Sequence, residues 1–156
     1  MIRSLARPLL ASIFVVQGLD TVKHPGARAQ VAAPLLDRLV PMLGLPDDKV
    51  MLVRANGVAM LVGGALLGAG RLPRPAAALL AGALVPTTLA GHAYWTKSDP
   101  AERSAQRTQF LKNLGLLGGL LLAAVDTDGN PSVAWHARRL REQTAARIAD
   151  VREARA

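Results

Sequence analysis

No cysteine occurs in this chain, so it carries no disulfide, no dithiol redox centre and no thiolate ligand for an iron–sulfur cluster. Aromatic residues are almost as scarce, at 3% of 156, where a soluble core of that size rests on more ring packing. The histidines number three, His24, His92 and His136. Only His24 and His92 fall on one side of the arrangement derived below, so a haem held by two histidines is disfavoured and no metal site is expected. What the chain has instead is leucine, alanine, valine and 14 glycines. Glycine and alanine let helices approach closely in lipid, which turns the reading towards a membrane protein.

Four apolar segments stand out, at about 4–22, 50–70, 75–92 and 110–125. A transmembrane helix needs about 20 residues, within a range of about 17–25; the second segment fits directly and the others fit if their polar ends snorkel. The fourth is expected to begin earlier as a helix, because Asp99-Pro100-Ala101-Glu102 sets a capping aspartate before a proline at the first helical position and a glutamate where a capping box requires it. The first segment also resembles a secretory signal, with Arg3 and Arg7 ahead of it and Ala27-Arg28-Ala29 as a small-x-small site. The charged stretch 18–25, with Asp20, Lys23 and His24, is too long for a cleavage region, and a retained span is expected. The fold class that follows is an all-α membrane protein. It is an antiparallel bundle of four transmembrane helices over residues 1–130, with a basic tail at 131–156.

With four spans, the amino end, the 70–75 turn and the tail share one side. That side holds ten Lys and Arg: Arg3, Arg7, Arg71, Arg74, Arg138, Arg139, Arg141, Arg147, Arg152 and Arg155. The other side holds seven: Lys23, Arg28, Arg38, Lys49, Lys97, Arg103 and Arg107. The positive-inside rule then sets both termini in the cytoplasm.

On that topology the polar residues of the spans meet at the outer end: Gln17, Asp20 and Lys23 from the first, Arg54 and Asn56 from the second, Thr87, Thr88 and His92 from the third, Lys112 and Asn113 from the fourth. The stretches 61–70, 76–84 and 114–125 carry nothing ionisable. Ionisable groups in lipid are costly and usually point inward and pair, and Asp20 is expected to pair with Arg54 or Lys112. Carboxylates and amides do not snorkel, whereas Lys23, Lys97 and Lys112 could, and Tyr94 and Trp95 could belong to an interfacial aromatic belt. The expected ligand cavity is lined by Gln17, Asp20, Lys23, Arg54, Asn56, Thr88, His92, Trp95, Lys112 and Asn113; no catalytic residue can be named. Below it, Gly64-x-x-x-Gly68 and Gly115-x-x-x-Gly119 have the spacing of close helix crossings. Pro86 should bend the third helix and free a carbonyl for Thr87 or a neighbour.

Between the first two spans, Val31, Leu35, Leu39 and Val40 form an apolar stripe, with Arg28, Asp37 and Arg38 set against it and Pro34 and Pro41 interrupting. Short amphipathic helices at the outer surface, lying over the polar end, are expected. In the tail, Ala137, Leu140, Thr144, Ile148 and Val151 line up at helical spacing among arginines. This predicts a cytoplasmic amphipathic helix that meets an anionic leaflet or docks a partner. The net charge of +8 is explained by topology beside spans, and nucleic acid is not expected as a partner.

The stretches VRANGVAMLVGGALLGAGRLPR, VPTTLAGHAYW and FLKNLGLLGGLLLAAVD resemble the DoxX family of small bacterial membrane proteins, in its actinobacterial form, over about residues 3–130. The resemblance implies a four-helix membrane bundle. It also implies membership of a redox complex, since the family takes its name from a subunit of a thiosulfate:quinone oxidoreductase and some members are linked to oxidative and thiol stress defence. Quinone becomes the candidate cofactor, and redox-complex proteins or a second copy the candidate partners. Lys23, Arg54, Asn56, His92, Lys112 and Asn113 carry over as motif residues without an assigned role. A quinone needs an apolar slot and one or two hydrogen-bond donors, which His92, Asn113, Lys112 and Arg54 could supply. The alternative is a non-enzymatic module that binds a small molecule or lipid, or anchors soluble partners.

Overall fold

Capping chemistry cuts the chain into its helices. The computed structural model describes residues 2–127 and, in the tail, Trp135, Arg138, Arg139 and 141–143. Helix α1 is Ile2–Lys23, α2 Pro25–Leu43, α3 Lys49–Gly68, α4 Pro73–Gly91 and α5 Pro100–Val125, with a single 3-10 turn at Tyr94–Thr96. Asp48 caps α3 by accepting from the Met51 amide at 2.8 Å, and Pro25 and Pro73 open α2 and α4 where a missing N–H costs nothing. Gly44, at φ 63°, closes α2, and the Leu45 amide bonds back to the Val40 carbonyl at 3.1 Å. Asp99 caps α5 as expected, accepting from the Glu102 amide at 2.7 Å. The capping box is only half made, because the Glu102 carboxylate turns to Lys97 at 2.6 Å.

Four helices are long and apolar enough to cross a membrane: Ile2–Lys23, Lys49–Gly68, the Pro73–Thr96 stretch and Pro100–Val125. No strand occurs among the described residues. The chain is therefore an all-α, multi-pass membrane bundle. Helix α3 packs on α1 and α4, α4 on α5, and α2 rests against α3 and α4. Phe14, Leu67, Leu80 and Leu120 are fully buried, joined by Ala11, Met60, Ala76, Ala77 and Leu84. Arg74 donates to the Ala124 carbonyl at 3.0 Å, satisfying one of the orphan acceptors that end α5.

Two expectations about packing change. A Cβ on Gly64 would lie 2.9 Å from the Val15 side chain, so the α3 glycine motif does make a close crossing with α1; in the second motif Gly115 meets nothing within 4 Å and a Cβ on Gly119 would make only ordinary contact with the Leu10 side chain, at 3.6 Å, so it makes no close crossing. The closest approach is instead Gly18 on Gly57, where a Cβ on Gly18 would meet the Leu61 nitrogen at 2.6 Å and the Gly57 carbonyl at 2.8 Å. The segment after α1 is likewise one 19-residue helix rather than several short ones. Pro34 and Pro41 do not break it because they share an exposed face with Gln30 and Asp37. The carbonyls these prolines leave unbonded are those four residues back, Gln30 and Asp37 themselves, where surroundings outside the protein can satisfy them.

The chain from Asp126 forms a second compact unit. Its described residues from Trp135 onward are helical, and the Arg139 guanidinium stands 4.9 Å over the Trp135 ring. Most of the predicted tail helix, including Leu140, Thr144, Ile148 and Val151, lies outside the described residues.

Candidate functional site

Helical spacing puts Gln17, Asp20 and Thr21 on one face of α1, at intervals of three and four. Across from it, one turn into α2, Arg28 spans all three. One guanidinium nitrogen donates to the Thr21 hydroxyl at 2.5 Å and to Gln17 Oε1 at 3.3 Å; the other donates to Gln17 Oε1 at 3.3 Å and to the Asp20 carboxylate. The Thr21 hydroxyl in turn donates to the Gln17 carbonyl at 2.7 Å. Asp20 also bonds His24 at 3.1 Å. Its partners are thus Arg28 and His24, a correction to the expected Arg54 or Lys112. With side chains 34% and 51% exposed, Arg28 and Asp20 form a rim pair in which the charge is already neutralised.

This clamp closes one end of a cavity of about 610 Å³. Helix α2 gives it an apolar wall through Val31, Leu35, Leu36, Leu39 and Leu43, and α3 gives Leu52, Val53 and Asn56. Pro86, Thr87, Ala90, Gly91 and His92 complete it from α4. Arg28 lies on the same side of α2 as Val31, Leu35 and Leu39 and lines the cavity with them, rather than opposing that stripe. Asp37 does oppose it, and pairs with Lys49 at 2.5 Å.

Two asparagines lock the neighbouring helices to α4. Asn56 donates to the Thr87 hydroxyl at 2.9 Å and Asn113 to the Thr88 hydroxyl at 3.0 Å. Each threonine in turn donates to the carbonyl four residues back, Thr87 to Ala83 and Thr88 to Leu84, both at 2.8 Å. Thr87 therefore bonds the Ala83 carbonyl, not the Gly82 carbonyl that Pro86 frees. His92 Nδ1 bonds Gln106 Oε1 of α5 at 2.8 Å.

The structure separates the ten expected site residues. Gln17, Asn56 and His92 line the large cavity, and Asp20 supports it through Arg28. Thr88 and Asn113 sit instead at a small, apolar 90 Å³ recess between α4 and α5. Trp95 belongs to an edge-to-face trio with Tyr94 and Phe110, with ring centroids 5.1–5.7 Å apart. Lys23, Arg54 and Lys112 are exposed, away from the cavity lining, where long cationic side chains snorkel. Sequence reasoning missed Arg28 and Thr21 as site residues, and Gln106 as the partner of His92. Spacing could have found Arg28, since 28, 31, 35 and 39 fall on one helical face.

The DoxX family model matches residues 2–93. No curated protein and no solved structure matches the chain. The matched segment contains every residue that lines the large cavity. It stops short of α5, so the FLKNLGLLGGLLLAAVD stretch lies outside it.

Proposed function

Because the chain belongs to the DoxX family, we propose that it is a membrane module that binds a neutral amphiphile in the cavity between α1, α2, α3 and α4. A quinone is the candidate ligand and a redox complex the candidate setting. The observation that carries this is the cavity itself: about 610 Å³, inside the range of small-molecule sites. It has walls rich in leucine, valine and proline, with Asn56, Thr87 and His92 on the α3–α4 side and the Arg28 clamp at one end. The Arg28 charge is spent on Asp20, so that end offers hydrogen bonds without a net charge. An anionic headgroup would have to compete with a carboxylate, and a neutral ring or hydroxyl would not.

The residues present fit a quinone. The ring would rest among Leu35, Leu39, Val53, Pro86 and Ala90, with Gln17 and Arg28 as donors at the polar end. When bound, a quinone supplies two-electron, two-proton chemistry. The chain's own residues hold the ring, exclude water and orient its polar edge. Among the described residues no group of three or more His, Cys, Asp or Glu is placed to hold a metal. In that setting electron transfer, and any role in oxidative or thiol stress, would be shared with the partner proteins of the complex. The excess of basic residues on the side of the termini supports an outward-facing cavity end with cytoplasmic termini.

Extraction in mild detergent followed by mass spectrometry of co-purifying small molecules tests the reading. The wild-type protein should carry a quinone or similar amphiphile, and Arg28→Ala should lose most of it. A wild-type protein that retains only bulk phospholipid, in the same proportions as Arg28→Ala, would overturn the proposal.

A further inference from the structure

The polar atoms around the cavity divide into two kinds once each existing bond is counted. On the α1 and α2 side, Arg28 and the Gln17 side chain present N–H groups, since Gln17 Oε1 is already taken by Arg28. The α3 and α4 side is the opposite. The Asn56 amide nitrogen is committed to Thr87, and also faces Met60 Sδ at 3.7 Å. The Thr87 proton is committed to the Ala83 carbonyl. His92 Nδ1 faces the Gln106 carbonyl oxygen at 2.8 Å, which can only accept, so in the neutral ring the proton sits on Nδ1 and Nε2 keeps its lone pair. Among the side-chain acceptors of this wall, Asn56 Oδ1 and His92 Nε2 are wholly unbonded, while Thr87 Oγ1, which already accepts from Asn56, keeps a second lone pair. Among the described residues no buried side-chain nitrogen or oxygen lacks a partner, so the open atoms are accessible ones, on residues that line the cavity.

Resting on the reading of the cavity as an amphiphile site, we propose that its α3–α4 wall selects a neutral ligand carrying a free hydroxyl over one with only carbonyl or ether oxygens. A hydroxyl donates to Asn56 Oδ1 or His92 Nε2 and still accepts from Arg28 or Gln17. A carbonyl or ether oxygen serves only the donor side and leaves both acceptors desolvated and unpaired, which is the costly half of any mismatch. For a quinone-type ligand the selected species is the reduced, hydroxyl-bearing ring rather than the dione. The same chemistry is offered by a membrane alcohol. Gln106, which is absent from the cavity lining, acts as a positioning residue by fixing the His92 tautomer.

The test is equilibrium binding to purified protein in detergent, with two matched pairs: an alkylated naphthol against its methyl ether, and a long-chain alcohol against its methyl ether. At least one hydroxyl compound should bind about tenfold or more tightly than its ether. Preference confined to the naphthol pair identifies a phenolic ring as the source, and preference in both pairs identifies any membrane hydroxyl; either result supports the inference. In His92→Phe the preference should shrink while the ether still binds, which shows that the cavity survives. Gln106→Leu should weaken the preference without changing ether affinity. Equal affinity of hydroxyl and ether in both pairs for the wild type overturns the inference and leaves the cavity reading standing. Failure of all four compounds to bind overturns both.

Discussion

Adding one methyl group at Gly18 should do more damage than any other single methyl in the bundle. A Cβ there would stand 2.6 Å from the Leu61 nitrogen and 2.8 Å from the Gly57 oxygen. Ordinary non-bonded contact is about 3.5 Å, so α1 and α3 must part by about 0.9 Å at this point. Both clashing atoms are backbone, and no rotamer change relieves them. Overpacking of this kind costs about 1–3 kcal/mol, and separation also forfeits contacts further along the interface, where Gly64 lies against Val15. Gly115→Ala is the matched control: it adds the same methyl to α5 where nothing lies within 4 Å, and should be neutral or gain up to about 1 kcal/mol from helix propensity. The gap between the variants should therefore be about 2 kcal/mol or more, roughly thirtyfold in the folded-to-unfolded ratio. Reversible unfolding in mixed micelles, followed by helical circular dichroism, reads it directly. Gly18→Ala should also lose ligand, because Gly18 sets the depth at which Gln17, Asp20 and Thr21 hold Arg28. Equal stability of the two alanine variants would refute the close crossing and the route by which it builds the site.

Three further outcomes are expected. Asn113→Leu should keep its ligand and cost about 1 kcal/mol through the lost bond to Thr88, whereas Asn56→Leu should lose ligand; mass spectrometry beside a melting curve separates the two. Asp20→Asn should change stability little, as expected for a half-exposed pair, yet lower ligand occupancy by loosening Arg28, while Asp37→Asn in the α2–α3 pair should alter neither occupancy nor the cavity. In this cysteine-free chain, Ser98→Cys should label from outside intact cells and Ser132→Cys should not; outside labelling of Ser132→Cys would invert the proposed topology.

The spans were legible because a run of about 20 apolar residues needs no tertiary information, and the start of α5 was legible because Asp99-Pro100 is a local signal. Depth was legible too: Gln17, Asn56 and His92 do meet at one end of the bundle. Facing was harder. Arg54, Asn56, Lys112 and Asn113 sit at similar depths, yet the amides turn to threonines on α4 while the cations are exposed, and sequence depth alone does not separate them. Asn113 enters the apolar run to bond Thr88, not to line the large cavity. The Gly18–Gly57 approach escaped detection because its two glycines lie on different helices, so no spacing within one segment reveals it. The course of α2 is hidden in the sequence because Pro34 and Pro41 read as helix breakers unless the exposed face they share is known.

Photolabelling tests the cavity most directly. A quinone analogue with a diazirine on its tail, added to the protein in native-like membranes and mapped by peptide mass spectrometry, should mark α2, α3 and α4 around Leu35, Leu39, Val53 and Ala90, and unlabelled quinone should compete it away. Equal, uncompeted labelling of the open α5 face at Leu114, Leu121 and Leu122 would contradict the account.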